Sequence, residues 1–199
     1  MPSFEIERLI NIISRLPGMG SRSAYRIVVH LLKRKHSVME NLIKSLSETY
    51  NSAVLCPVCN NIDTSSPCHI CSNLKRDHST ICVVSDISDL WSIERAGFYS
   101  GVYHVLGGKL SAIDGVKPSD LSMDKLIERI KLNKDISEII IAMSADIDGQ
   151  TTMLFVNEQL KDMGIKITVL SQGMPIGGEL DYLDDGTIIT AFNQRRKFN

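Results

Sequence analysis

The sequence predicts an α/β protein: a short helical region and a cysteine knuckle lead into a parallel, doubly wound sheet, followed by a C-terminal tail. Three observations support this. Apolar residues in the first fifty positions recur at helical spacing. Four of the five cysteines fall within sixteen residues. From Thr80 onward, short aliphatic runs alternate with helix-period segments, the pattern of β-α-β units whose strands lie parallel. The boundaries expected are 1–54 for the helical region, 55–79 for the knuckle, 80–175 for the α/β domain and 176–199 for the tail. A chain of 199 residues can bury a sizeable core.

Three helical stripes open the chain. Leu9, Ile12, Ile13 and Leu16 form the first, which is broken by Pro17-Gly18-Met19-Gly20. Ala24, Ile27, Val28, Leu31 and Leu32 form the second, with Ser21 or Ser23 available as a cap. Met39, Leu42, Ile43, Leu46 and Tyr50 form the third, and all three read most simply as core faces. In the α/β region, TICVVS is a strand and DISDLWSIERAG a helix with Ile87, Leu90 and Trp91 on one face. GVYHVL is the next strand, running into the turn Gly107-Gly108. MDKLIERIKL is a helix after Ser122, EIIIAM a strand, TTMLFVNEQLKDMG a helix and IKITVL a further strand. The tail holds one more strand candidate, TIITAF, before Arg195-Arg196-Lys197. There are no repeats and no low-complexity segments.

Composition excludes several classes. The longest apolar runs are strand-sized, far short of a bilayer span. MPSFEIERLI has no apolar signal core, so a cytoplasmic location without membrane association is expected. The net charge of −1 hides an asymmetry: residues 1–50 are net +4 and residues 80–199 net −5. On charge alone, only the N-terminal quarter offers a phosphate-attracting surface, and an ordinary solvated helical surface would look the same. No G-x-x-x-x-G-K-[ST] occurs, so ATP hydrolysis is not expected.

CPVCNNIDTSSPCHIC carries the strongest chemical signal. Two C-x₂-C pairs, Cys56/Cys59 and Cys68/Cys71, supply the four thiolates of a tetrahedral Zn²⁺ site. All four positions are filled, leaving none for water, so one structural zinc per chain is expected. Disulfides or a redox-active pair are the alternatives for this spacing, and a cytoplasmic chain disfavours them. Cys82 lies in a strand and reads as a buried, inert thiol, and His69 is not needed as a ligand.

The second signal is LPGMGSRSAYRIVVHLL, in which Gly18 and Gly20 permit a sharp hairpin ahead of a helix. Such a helix start offers N–H donors and a positive dipole end to one phosphate. Arg22 and Arg26, four apart on that helix, can reach flanking phosphates. A plain turn between packed helices is the competing reading.

The third is the loop after EIIIAM, where Asp146 and Asp148 sit at a strand end of an α/β sheet, the edge at which such folds bind ligands. Spacing fits half a Mg²⁺ site and a helix cap equally, with Asp148 capping a helix near Thr151. The end of the first strand supplies Ser85 with Asp86 next, and a serine is neither a good metal ligand nor a base. The remaining histidines show no metal or relay spacing.

Taken in order, LPGMGSRSAYR, CPVC…CHIC, Arg76-Asp77, ICVV, YHVLGGKLSAIDGV, the acidic loop and QGMPIGGELDYLD resemble the RecR family of bacterial recombination mediators across essentially the whole chain. The resemblance implies a helix-hairpin-helix region, a four-cysteine zinc finger and a Toprim domain, the fold shared with topoisomerases and primases. It implies no catalysis. It also implies a ring-like homotetramer, with the tail expected to make oligomer contacts, and sequence-independent DNA binding in DNA repair. RecO and RecF are the implied partners in loading RecA onto gapped or single-stranded DNA. Arg22 and Arg26 match the family's DNA-contacting positions, and the acidic surface of Asp86, Asp146 and Asp148 matches the region linked to RecO. The family usually has a glutamate at the position of Ser85 and reads closer to T-V-E-G-E where this chain has Asp146-Ile147-Asp148-Gly149-Gln150. A Mg²⁺-dependent Toprim nuclease or primase-like enzyme using Asp146 and Asp148 is the alternative, and the missing acid at Ser85 speaks against it. A scaffold that meets DNA only through partners is a third reading.

Overall fold

The computed structural model describes residues 2–171, 173–174 and 177–193. Packing divides the chain into two compact units, Met1–Ala53 and Val54–Asn199.

The first unit is helical. Helix α1 (Phe4–Ser14) packs on α2 (Ser21–Lys33), a π-helical turn spans Lys35–Met39, and α3 (Glu40–Ser52) follows. Among its described residues only Ala24, Val28 and Leu31, one stripe of α2, are buried. The expectation of three core faces is therefore corrected for the other two stripes. Ile12 and Leu16 are more than half exposed, and no residue of α3 is buried. Within this unit the principal contacts of α3 are with the π-helical turn, and its Leu42, Ile43, Leu46 and Tyr50 stripe is exposed. The serine-cap expectation is corrected as well. Helix α2 begins at Ser21, its N-cap is Gly20, and no side chain caps it.

In the second unit a two-residue hairpin pairs β1 (Val54–Leu55) with β2 (Ile62–Asp63). The main sheet holds β3 (Asp77–Val84), β4 (Gly101–Val105), β5 (Glu138–Ala142) and β6 (Lys166–Val169), all parallel, in the order β4-β3-β5-β6. Helices α4 (Ile87–Ala96), α5 (Met123–Leu132) and α6 (Ile147–Leu160) connect successive strands. Leu90 of α4, Met123, Leu126 and Ile130 of α5, and Thr152, Val156 and Leu160 of α6 are buried at helical spacing. Every residue of β4 is buried, so both faces of the sheet are covered. Each fully buried aliphatic side chain of this core contributes roughly 1.5–3 kcal/mol.

A parallel sheet leaves an open edge at its outer strand, and here the cysteine knuckle closes it. The Val105 N–H donates to the Cys59 carbonyl (2.8 Å). Asn60, held at a positive φ of 61°, donates from Nδ2 to the Val105 carbonyl (3.1 Å) and to the Ser122 hydroxyl. Behind the knuckle, the partly buried Arg76 guanidinium pairs with Glu94 and donates to the Gly101 carbonyl (2.9 Å). Tyr103 Oη donates to the same Glu94 carboxylate (2.6 Å).

The TIITAF strand expectation is overturned, because these residues lie in helix α7 (Asp185–Asn193). Their β-branched side chains favour a strand, but Asp184 accepts from Thr187 N (3.0 Å) and Thr187 Oγ1 (2.6 Å) and so starts a helix instead. Arg195, Arg196 and Lys197 lie outside the described residues.

Candidate zinc centre and nucleic-acid interface

The knuckle brings Cys56, Cys59, Cys68 and Cys71 together with their sulfur atoms all within 4.8 Å of one another. The Cys59–Cys68 sulfur separation is 3.5 Å, too long for a disulfide and close to the roughly 3.8 Å edge of a tetrahedron with Zn–S bonds near 2.3 Å. Burial raises the Cys56 thiol, but N–H donors from Cys68, Cys59 and Val58 outweigh it and bring its pKa down to about 7. The Cys68 N–H···Sγ Cys56 contact of 3.4 Å is one of those donors. Burial lifts Cys68 to about 11 and Cys82 to about 12. Four buried or half-buried sulfurs, with the Cys68 N–H aimed at Cys56, suit a closed zinc site. When bound, zinc supplies four ligand bonds that fix the knuckle. His69 turns away from the cluster to Asp63, with Nδ1 2.7 Å from Oδ2.

In the helical unit, Gly18 has φ +74°, a left-handed conformation that lets the chain reverse between α1 and α2. Gly20 is extended and leads directly into Ser21. The first turn of α2 therefore presents N–H groups with no side-chain acceptor and no acidic residue beside them. Arg22 and Arg26 are exposed on this helix.

The strand order of the sheet reverses between β3 and β5, and the acidic residues gather at the carboxyl ends of these two strands. Helix α6 starts at Ile147 rather than near Thr151, so Asp146, not Asp148, is its cap. Asp146 Oδ1 accepts from Gly149 N (2.7 Å) and Ser144 Oγ (3.0 Å). Its Oδ2 takes Lys109 Nζ at 2.6 Å, and the same ammonium donates to Ser144 Oγ at 3.1 Å. The lysine, followed by these donors, holds the Asp146 carboxyl down to about 2. Gly149 is required here, since a Cβ would run into the Ser144 carbonyl. At the end of β3, buried Ser85 donates to Asp89 Oδ2 (2.6 Å), which also takes the Asp86 N–H (3.1 Å). Asp86 accepts from Ser88 N (2.9 Å) and caps α4. Among the described residues, the only group of three or more potential metal ligands within 4.8 Å is the cysteine cluster, so Asp86, Asp146 and Asp148 do not converge. Lys109, Ser144 and Asp89 escaped the sequence reading. The signal for Asp89 was its i+4 spacing from Ser85, whereas Lys109 is 37 positions from Asp146 and gave none.

Comparison with known proteins accounts for these three features in one order. Family profiles described as RecR helix-hairpin-helix, RecR four-cysteine zinc finger domain, Toprim domain and RecR C-terminal match residues 6–49, 53–73, 79–171 and 173–196. The recombination protein RecR of Rhodospirillum rubrum is 50% identical over 196 residues, covering 98% of this chain and 99% of that one. The chain belongs to the RecR family. The RecR proteins of Bartonella bacilliformis (50% identical, 98% of this chain and 96% of the relative) and Parvibaculum lavamentivorans (46%, 98% and 97%) match over 194 residues. The RecR resemblance of the cysteine, glycine and aspartate motifs thus holds along the chain, with a four-cysteine zinc finger and a Toprim-type α/β domain. No helix of the described residues is long and apolar enough to cross a membrane.

Proposed function

We propose that this chain is a non-catalytic recombination mediator that grips the DNA backbone without reading bases. It works as a ring-like oligomer with RecO and RecF to load RecA on gapped or single-stranded DNA. The observation that carries this reading is the start of α2. Gly18 turns the chain, Gly20 leaves the first N–H groups without a side-chain cap, and Arg22 and Arg26 flank them. This arrangement suits one phosphate between two more, a contact that positions without specifying sequence. Oligomer formation is supported by the uncovered α3 stripe, where Ile43 is 58% and Leu46 61% exposed.

The acidic edge favours a partner-binding role over phosphoryl transfer. Asp146 is already paired with Lys109, and Ser85 is bonded to Asp89 where the strand end would otherwise offer an acid. RecA filament assembly on gapped DNA coated by single-strand binding protein, with RecO present, tests the proposal. The wild-type chain accelerates assembly and the Arg22→Ala/Arg26→Ala variant does not. Equal acceleration by both would remove the hairpin from the mechanism.

A further inference from the structure

A cleft of about 350 Å³ opens along the flank of α2, lined by Ser23, Arg26, Ile27 and His30. The four positions are i, i+3, i+4 and i+7 and so share one side of the helix. Ser23, Arg26 and His30 are exposed and Ile27 is half-buried. The volume lies at the small end of ligand pockets, which run from about 300 to 1,000 Å³.

The lining combines an apolar floor, a fixed ring and a cation. Ile27 forms the floor. Arg34 Nη1 lies 3.1 Å from His30 Nε2. A guanidinium only donates, so the imidazole accepts at Nε2, carries its proton on Nδ1 and is held in one orientation. Arg26 belongs both to the cleft and to the row that Arg22 begins, and the four-residue step between the two arginines spans about 6 Å of helix. Helix α2 and its C-cap carry Arg22, Arg26, Lys33 and Arg34 and no acidic residue. Such a setting favours a ligand with flat apolar faces tied to a negative charge.

The geometry points to a pocket for one unpaired nucleobase of single-stranded DNA. The base stacks on the His30 ring and packs on Ile27, the Ser23 hydroxyl is free for its polar edge, and Arg26 holds its phosphate. Stacking accepts any base, so the contact adds affinity for single strands without adding a sequence preference. Paired bases lie inside the duplex stack and reach such a pocket only by flipping out, which costs free energy. The inference rests on the reading of α2 as the element that grips phosphates, and adds to it a contact that only unpaired DNA makes.

Fluorescence anisotropy on the full, zinc-loaded chain tests this with two labelled single strands of equal length. One has a mixed sequence, and the other has abasic sites at alternate positions, so it keeps every phosphate and loses half of its bases. Wild type is expected to bind the intact strand at least about fivefold tighter than the abasic one. His30→Ala should bring that ratio to within about twofold, and so should Ser23→Leu, which fills the cleft from an exposed position. Both should bind the abasic strand and a blunt duplex as wild type does. His30→Phe restores a flat ring and should keep the preference. An intact strand bound no tighter than the abasic one, a ratio unchanged in His30→Ala and Ser23→Leu, or a ratio lost as fully in His30→Phe as in His30→Ala would overturn the inference. So would a fall in the sedimenting mass of His30→Ala, which would assign the cleft to a second copy of the chain. Failure of the phosphate reading looks different: every affinity would then be unchanged in Arg22→Ala/Arg26→Ala, whatever the His30 variants do.

Discussion

Lys109 and His104 show how single side chains set the chemistry of the sheet domain. The Lys109 ammonium sits against Asp146 and Ser144, which is where a divalent ion would have to compete for the same oxygens. Two aspartates one residue apart resemble half a magnesium site in sequence, but the first of them caps α6 and holds a lysine. His104 is fully buried on β4, with Nε2 2.8 Å from the Ser122 carbonyl, so Nε2 carries the proton and Nδ1 is left without a partner. Burial, with Arg129 and Lys125 nearby, lowers its pKa to about 4. The folded chain therefore binds this proton less readily than the unfolded chain, whose histidine titrates near 6.5. The stability associated with neutral His104 is complete above about pH 6.5 and falls as pH drops towards 4, by about 3 kcal/mol at the lower limit. Urea unfolding between pH 7 and 5 should show a steeper loss for wild type than for His104→Phe. Parallel curves would mean that the ring is hydrated in the folded state.

At the scale of elements, the zinc knuckle belongs to the sheet and not to a separate module. It closes the β4 edge through Cys59 and Asn60, and Trp91 of α4 donates from Nε1 to Asn61 Oδ1 (3.2 Å). Ligation energy of a structural zinc is folding energy. Stripping the metal with a strong chelator under reducing conditions should lower the thermal midpoint and shift the emission of Trp91, the sole tryptophan. An unchanged midpoint and emission would mean that the knuckle holds without metal. The knuckle was legible in the sequence because ligand spacing is a short-range property: C-x₂-C fixes a turn by itself. The sheet strands were legible for a related reason, since in runs such as Ile139-Ile140-Ile141 the outer two side chains are buried and Ile140 on the other face is half-buried against the core. Helix α7 was not, because β-branched Thr187, Ile188 and Ile189 favour a strand while the cap at Asp184 decides for a helix. The Lys109–Asp146 pair was not legible either, as it joins residues brought together only by the sheet's crossovers.

For the whole molecule, charge and exposed apolar surface divide the work. The first fifty residues are net +4 and carry the hairpin, whereas residues 80–199 are net −5 and carry the acidic edge. Reading α3 as a core face misplaced the cover: the stripe is apolar, yet none of its residues is buried. If a second copy supplies that cover, Ile43→Asp/Leu46→Asp should reduce the sedimenting mass of the pure protein while its zinc content is retained. An unchanged mass would place the oligomer contact elsewhere. The central claim, that the uncapped start of α2 with Arg22 and Arg26 grips DNA phosphates, is tested most directly by the salt dependence of binding to single-stranded and gapped DNA of several sequences. For wild type, affinity should fall steeply with salt and vary little with sequence. The slope of log K against log salt should shrink by about one per arginine removed, for each protomer touching the DNA, in Arg22→Ala and Arg26→Ala. Equal slopes and equal affinities in wild type and the double variant would contradict the account.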